Sequence, residues 1–187
     1  MTSDKNTIPA SEIKRLFHYC EDGRLIWRDR PISDFSSKRE WKRWHTRYAR
    51  NEAGYVRRDG YRYVWIKFGE KSRPYKAHRI SYAWHFGEWP AEQIDHINHR
   101  RDDNRIENLR AVSHIENGKN RSLSVNSTTG VTGVYWHNRD REWRAQIKVN
   151  YKMIYLGSFA NFDDAVEARR AADKEFGFYK NHGKHDV

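Results

Sequence analysis

The chain has 187 residues, of which 37% are hydrophobic, 33% charged and 14% aromatic, and its formal net charge is +11. That length allows one ordinary domain or two to three small ones, and the aromatic share argues against a disordered chain. The charge favours a polyanionic partner, either DNA, RNA or an anionic membrane surface. No apolar run approaches the roughly 20 residues needed to span a bilayer.

A lone cysteine, Cys20, excludes an intramolecular disulfide and a Cys-rich zinc site. The tract Met1 to Lys5 lacks the apolar core of a signal peptide, so an intracellular, soluble protein is expected. Small folded units with a few large aromatic anchors fit this composition.

The first segment, residues 1–75, opens with a helix that Ser11 can cap, carrying Ile13, Leu16, Phe17 and Cys20 on one face. Asp22-Gly23 ends it, and Arg24 to Trp27 reads as a strand. Pro31 to Asn51 is basic and aromatic and gives no assignable element. Tyr55 to Arg58, Asp59-Gly60 and Tyr61 to Val64 predict a hairpin, because Asp-Gly suits the positive φ angles of a tight turn.

The second segment, residues 76–121, has the order helix, strand, loop, strand, helix. The first helix covers His78 to Phe86, with Gly87 and Pro90 beyond its end. Strands follow at Ile94 to Ile97 and Leu109 to Val112. Ser113-His114-Ile115-Glu116 is a capping box that starts the last helix.

Residues 122–130 read as a linker. In the third segment, residues 131–187, Gly133 to Asn138, Glu142 to Val149 and Lys152 to Phe159 predict three strands. A helix from Phe162 to Phe176 follows, capped by Asn161 and closed by Gly177. The fold class is α+β, a small multidomain chain with a three-stranded antiparallel sheet packed on one helix at its C-terminal end.

The second segment holds groups suited to phosphodiester hydrolysis, which needs a metal to neutralise the phosphate and a base to take a proton from water. Asp95 offers a carboxylate oxygen, a natural ligand for Mg²⁺ or Mn²⁺. His96 has an intrinsic pKa suited to a base near neutral pH. Strand neighbours point to opposite faces, so the two serve one site only if the chain bends there. Asn117, in the first turn of the last helix, can add an amide oxygen. Asn108 reads as a brace that bonds backbone across the loop and fixes the His96 ring. No paired carboxylates favour a second metal.

The runs Ala77-His78-Arg79, Glu92 to Asn98, Asp103 to Arg110 and Glu116-Asn117 resemble the H-N-H homing endonucleases common in phage genomes. The resemblance covers roughly Tyr75 to Arg121 and, more faintly, the basic hairpin upstream. It implies a ββα-metal core with His96 as general base, Asp95 and Asn117 as ligands of one divalent ion, Mg²⁺ or Mn²⁺, and Asn108 as the structural Asn. No structural zinc is expected, since Asn at 117 favours a hard ion. His99 stands where Gly is expected after Asn98. His78 contacts a phosphate or packs its helix, two readings left open here. His114 reads as a solvated helix-start residue. Location in a bacterial host cell's cytoplasm follows if the chain is phage-encoded.

In the third segment Gly133 to Trp136, Glu142 to Val149, Ile154 to Phe159 and Asp164 to Ala168 resemble the Apetala-type domain of plant regulators. That family lays its sheet in the DNA major groove. Independently, strand alternation puts Arg144, Gln146 and Lys148 on one face and Trp143, Ala145, Ile147 and Val149 on the other. The resemblance sets Tyr135, His137, Arg144, Gln146, Lys148 and Tyr155 at or beside contact positions, several with changed residue types. Arg79, Arg105, Arg110, Lys119 and Arg121 are further candidates for phosphate contact, which gives affinity without sequence information.

The resulting expectation is a site-selecting endonuclease acting on double-stranded DNA, with no membrane partner and monomer or homodimer left open. Two rivals stand beside it: a DNA-binding regulator with an inactive nuclease fold, and an RNA-binding or RNA-cleaving protein.

Overall fold

A computed structural model describes residues 8–184, and the Met1 to Lys5 tract lies outside them. The backbone divides into two compact units. Among the described residues, 8–96 and Arg100–Ala111 form the first, whereas Ile97–His99 and 112–184 form the second. The division therefore falls inside the 76–121 segment.

In the first unit, helix α1 (Ala10–Leu16) follows Pro9 and has no side-chain cap. This departs from the expected Ser11 cap and from a helical Phe17 and Cys20. Strand β1 (Phe17–Tyr19) instead pairs antiparallel with β2 (Leu25–Trp27), Phe17 opposite Trp27. The Asp22-Gly23 turn between them draws Phe17 and Tyr19 out of the helix into a hairpin, with Arg24 N donating to Asp22 Oδ1 at 3.1 Å.

The tract without a sequence assignment contains a 3₁₀ turn (Ile32–Asp34) and helix α2 (Lys38–Tyr48), whose Ser37 cap accepts from Glu40 N. Strands β3 (Tyr55–Val56), β4 (Arg62–Phe68) and β5 (Lys71–Lys76) form a sheet in that order. The Asp59-Gly60 hairpin is the expected one, with Tyr55 opposite Tyr63, but β5 extends the sheet.

Helix α3 (Ala77–Phe86) ends in a left-handed Gly87. Its Ile80 and Ala77 join Ile13, Leu16, Phe17, Leu25, Val64 and Ile66 in one core. Indole N–H groups at the margin find carbonyl partners, as amphipathic rings must: Trp84 donates to Phe17 O at 3.1 Å and Trp89 to Ile8 O at 2.6 Å. Strand β6 (Gln93–His96) pairs with β7 (Leu109–Val112), and a 3₁₀ turn (Ile106–Asn108) leads into the latter.

In the second unit, α4 (His114–Gly118) starts at the capping box, Ser113 Oγ accepting from Glu116 N. Strands β8 (Val134–His137), β9 (Glu142–Val149) and β10 (Lys152–Phe159) form an antiparallel sheet with β9 central. Helix α5 (Phe162–Glu175) begins at Asn161, which accepts from Asp164 N. Val134, Ala145, Ala165 and Val166 make the core between sheet and helix.

Arg169 of α5 is buried and donates to Gln146 O at 2.8 Å and to Asp173. Gly133 makes room for that guanidinium: a Cβ there would fall on Arg169 Nη1 and Gln146 O. The segment after α5 returns to the start of the unit. Tyr179 N donates to Lys119 O, Gly183 N to Arg121 O, and Leu123 N to Lys184 O, all within 2.8–3.1 Å. The expected linker is thus fastened at its first residues.

Candidate active site

His96 ends β6, and the side chains around it come from three other parts of the first unit. Its Nε2 lies 3.3 Å from Asn104 Oδ1 in the loop after β6. The His78 ring of α3 stands edge-on to it, centroids 5.0 Å apart, and the Tyr61 ring of the β3–β4 hairpin is 5.9 Å away. Tyr61 also contacts His78 at 5.3 Å, and Lys76 Nζ caps its ring at 3.7 Å. His78 is thereby both a packed residue and a neighbour of the candidate base.

Burial decides the protonation of both imidazoles. His96 is 4% exposed, and desolvation holds its pKa below the ordinary histidine value against the pull of Asn104 and Asp95. His78 falls to about 3, through burial first and then the charges of His96, Lys76 and Arg79. A neutral imidazole keeps the lone pair that a general base requires.

Asp95 precedes His96 but goes to another partner. Arg110 on β7 donates to its Oδ2 through Nε at 2.9 Å and Nη2 at 2.6 Å. Arg110, expected at a phosphate, instead carries the charge opposite the candidate metal ligand. His96 is the last residue of β6, at the point where the strand enters the turn that begins at Ile97.

Asn108 Nδ2 donates to Asp103 O at 2.9 Å, which ties the loop to its own exit. A contact on the His96 ring comes from Asn104, a residue whose role was not legible in the sequence. Its place is fixed from outside. Tyr19 OH donates to Asn104 O at 3.2 Å and accepts from Ile106 N at 2.8 Å. Gly23, at φ +86, lets the β1–β2 turn approach, because a Cβ there would fall on the Asn104–Arg105 backbone. An Asp-Gly turn is legible in sequence, but what it touches eighty residues away is not.

Other candidate cations also have internal partners. Arg79 donates to Glu92 O at 3.0 Å and Pro90 O at 2.7 Å. Arg105 pairs with Asp103 at 2.8 Å and Glu107 at 3.2 Å, and its pKa is raised, chiefly by Asp103.

Asn117, His114, Lys119 and Arg121 belong to the second unit. There Asn117 N donates to Ser113 O at 2.9 Å in the first turn of α4, and Lys119 Nζ lies 3.5 Å from Glu116. His99, in the position where Gly was expected, takes φ 67 and is buried. On the sheet, Arg144 pairs with Glu142 at 2.9 Å and Asp140 at 2.5 Å. Tyr155 OH meets Ser158 Oγ at 2.5 Å, and His137 Nδ1 lies 3.2 Å from Asp140. Lys148 is exposed, and Tyr135 and Gln146 are half-buried.

The donors that the sequence assigns to a metal are oxygens, the Asp95 carboxylate in the first unit and the Asn117 amide in the second. That chemistry fits a hard divalent ion that keeps water and substrate oxygens as its other ligands. Among the described residues no group of three or more His, Cys, Asp or Glu side chains is placed to hold a metal.

Residues 75–119 match the family model of the HNH endonuclease. This match defines an HNH endonuclease domain in the segment that carries Asp95, His96, Asn108 and Asn117, and the domain implies nuclease action on DNA. No curated protein and no solved structure matches the chain. Among the described residues no helix is long and apolar enough to cross a membrane.

Proposed function

We propose that the chain is a metal-dependent DNA endonuclease of the homing type, hydrolysing phosphodiester bonds in duplex DNA at a selected site with water activated by His96. The observation that carries this reading is the buried His96, set next to Asp95 and held by Asn104 inside the HNH-matching segment. His96 takes the proton from water, Asn104 orients its ring, and Asn108 keeps the loop closed. Asp95 would hold one hard divalent ion, Mg²⁺ or Mn²⁺, and the resemblance to the H-N-H family assigns Asn117 as its second ligand. When bound, the ion neutralises charge on the scissile phosphate.

The C-terminal sheet places the enzyme on duplex DNA. Its support is a sequence resembling the Apetala type together with a helix-backed three-stranded sheet that carries Tyr135, Arg144, Gln146, Lys148 and Tyr155. Segments 1–75, 76–121 and 131–187 then act as basic arm, cutter and reader, with 122–130 between the last two.

The test is cleavage of supercoiled plasmid with Mg²⁺ or Mn²⁺, resolving nicked from linear product. His96→Ala should lose cleavage by about 10²-fold or more while keeping DNA affinity. Equal cleavage by wild type and His96→Ala sinks the reading. Stronger binding to RNA than to duplex DNA would replace the substrate.

A further inference from the structure

The unit that holds His96 also holds a basic surface outside the HNH-matching segment. Several arginines of this unit are neutralised at short range: Arg15 by Glu12 and Asp34, Arg24 by Asp22, Arg30 by Asp34, and Arg50 by Asp29. The cations of helix α2 are not. Arg39, Lys42 and Arg43 have no carboxylate within ion-pair distance among the described residues, and Arg47 only lies over the Tyr48 ring at 5.3 Å. All four are exposed.

Their spacing of three and four puts them on one side of the helix. Like charges so placed repel one another, so helix stability alone disfavours them. The one carboxylate of α2, Glu40, is turned to the N-terminus, where it accepts from Ser36 N and Oγ. Arg43 and Lys67 act on it only through space.

The other side fixes how this face is presented. Trp41 Nε1 donates to Arg30 O at 2.9 Å, and His45 Nε2 accepts from Arg30 N at 3.3 Å. The Trp44 ring stands edge-on to Trp27 at 5.5 Å and packs on Phe35 at 5.6 Å. The helix cannot roll about its axis without breaking these interactions. Its cations are held in place before any partner arrives.

We infer that this face of α2 is a docking surface for the sugar-phosphate backbone of duplex DNA, separate from the HNH segment and from the C-terminal sheet. Arg39 to Arg47 spans about 12 Å at 1.5 Å per residue. One DNA strand offers a phosphate about every 3.4 Å of axis over that length. Single strands are held by stacking on exposed aromatic rings, and membrane-surface helices by an apolar face in the bilayer. Here the Trp41 and Trp44 rings face the protein, and the exposed ring of α2, Tyr48, is covered by Arg47. The inference rests on the endonuclease reading for the kind of polyanion.

The experiment compares R39Q/R43Q/R47Q with R15Q/R24Q/R50Q, which removes the same charge from ion-paired sites. Affinity for a duplex oligonucleotide is measured across salt concentration, alongside plasmid cleavage and a circular-dichroism check of folding. The α2 variant should bind about tenfold or more weakly, and its slope of log affinity against log salt should fall by about 2–3, near 0.9 for each phosphate no longer neutralised. R39K/R43K/R47K should restore both, since a point charge suffices, and the ion-paired control should stay within about threefold of wild type. Unchanged binding in R39Q/R43Q/R47Q, or an equal loss in the control, overturns the surface while leaving the endonuclease reading intact. A wild-type protein that neither binds nor cuts duplex DNA overturns both.

Discussion

Arg110 donates twice to a single oxygen of Asp95, Oδ2, at 2.9 and 2.6 Å. The pair joins β7 to β6 directly beside His96. It also means that the carboxylate assigned to a metal already has a cation on it.

Breaking a buried pair by removing one partner leaves an uncompensated charge. Arg110→Gln is therefore expected to lower stability by about 3 kcal/mol in chelator-treated protein. Mn²⁺ should raise the melting temperature of this variant more than that of wild type, because the ion takes over part of the lost charge. Thermal unfolding with and without Mn²⁺ measures both. Stability equal to wild type in chelator would show that the pair is solvated and carries no such role.

Asn104 acts on the reaction through His96, as a positioning residue. Asn104→Ala should cut kcat about tenfold to a hundredfold, the scale on which small misplacements are felt, and leave KM for DNA near wild type. Tyr19→Phe removes a donor to Asn104 O and an acceptor for Ile106 N, so it should act in the same sense more weakly. A rise in KM with kcat unchanged would place Asn104 in substrate binding instead.

A buried histidine and a half-buried one, both desolvated, set an acid limit. His78 is lowered to about 3 and faces His96, Lys76 and Arg79; His182 is lowered to about 4 and faces Arg169, Asp173 and His99. Arg169 Nη2 lies 3.2 Å from His182 Nε2, an arrangement that suits an unprotonated nitrogen. Both folded values lie below the unfolded value of about 6.5. As pH falls through 6.5 the unfolded chain binds protons first, so stability drops until each folded value is reached. These groups contribute their full stability above about pH 7 and lose it down to about pH 4 for His182 and pH 3 for His78. The loss is on the order of a few kcal/mol. Urea midpoints between pH 4.5 and 7.5 check this, and His78→Gln should flatten the profile. A wild-type midpoint independent of pH in that range would contradict it.

Tyr151 sits in the two-residue turn between β9 and β10 with φ 65, after Asn150 at φ 47. Such turns favour Asn-Gly, and left-handed backbone costs a residue with a Cβ roughly 1–2 kcal/mol. Tyr151→Gly should therefore stabilise the protein by about 1 kcal/mol, read as a higher urea midpoint. A lower midpoint would mean that the ring contact with His114, at 6.2 Å, outweighs the strain.

Local signals carried well from sequence to structure. The capping box at Ser113, the Asn161 cap, the Asp59-Gly60 hairpin and the alternation through β9 all depend on neighbours within a few residues. His99, which stands where Gly was expected, takes a positive φ, a backbone conformation that the sequence did not specify. What stayed hidden depends on distant partners. Helix α2 was unreadable because its aromatic side becomes a core side only once Trp27 and Phe35 are beside it. Phe17 looks helical until Trp27 pairs with it. Asn104 resembles any loop asparagine until Tyr19 and Gly23, from the other end of the chain, fix its backbone against His96. The arginines at 79, 105 and 110 looked like free phosphate contacts because sequence does not show which carboxylates and carbonyls they meet.

The chain passes between the two compact units three times in quick succession, at His96/Ile97, His99/Arg100 and Ala111/Val112. During synthesis the first unit cannot be completed until Asn104, Asn108 and Arg110 have left the ribosome, after three residues of the other unit have already emerged. A cut at residue 97 or at residue 112 therefore leaves one of the two units without part of its own chain.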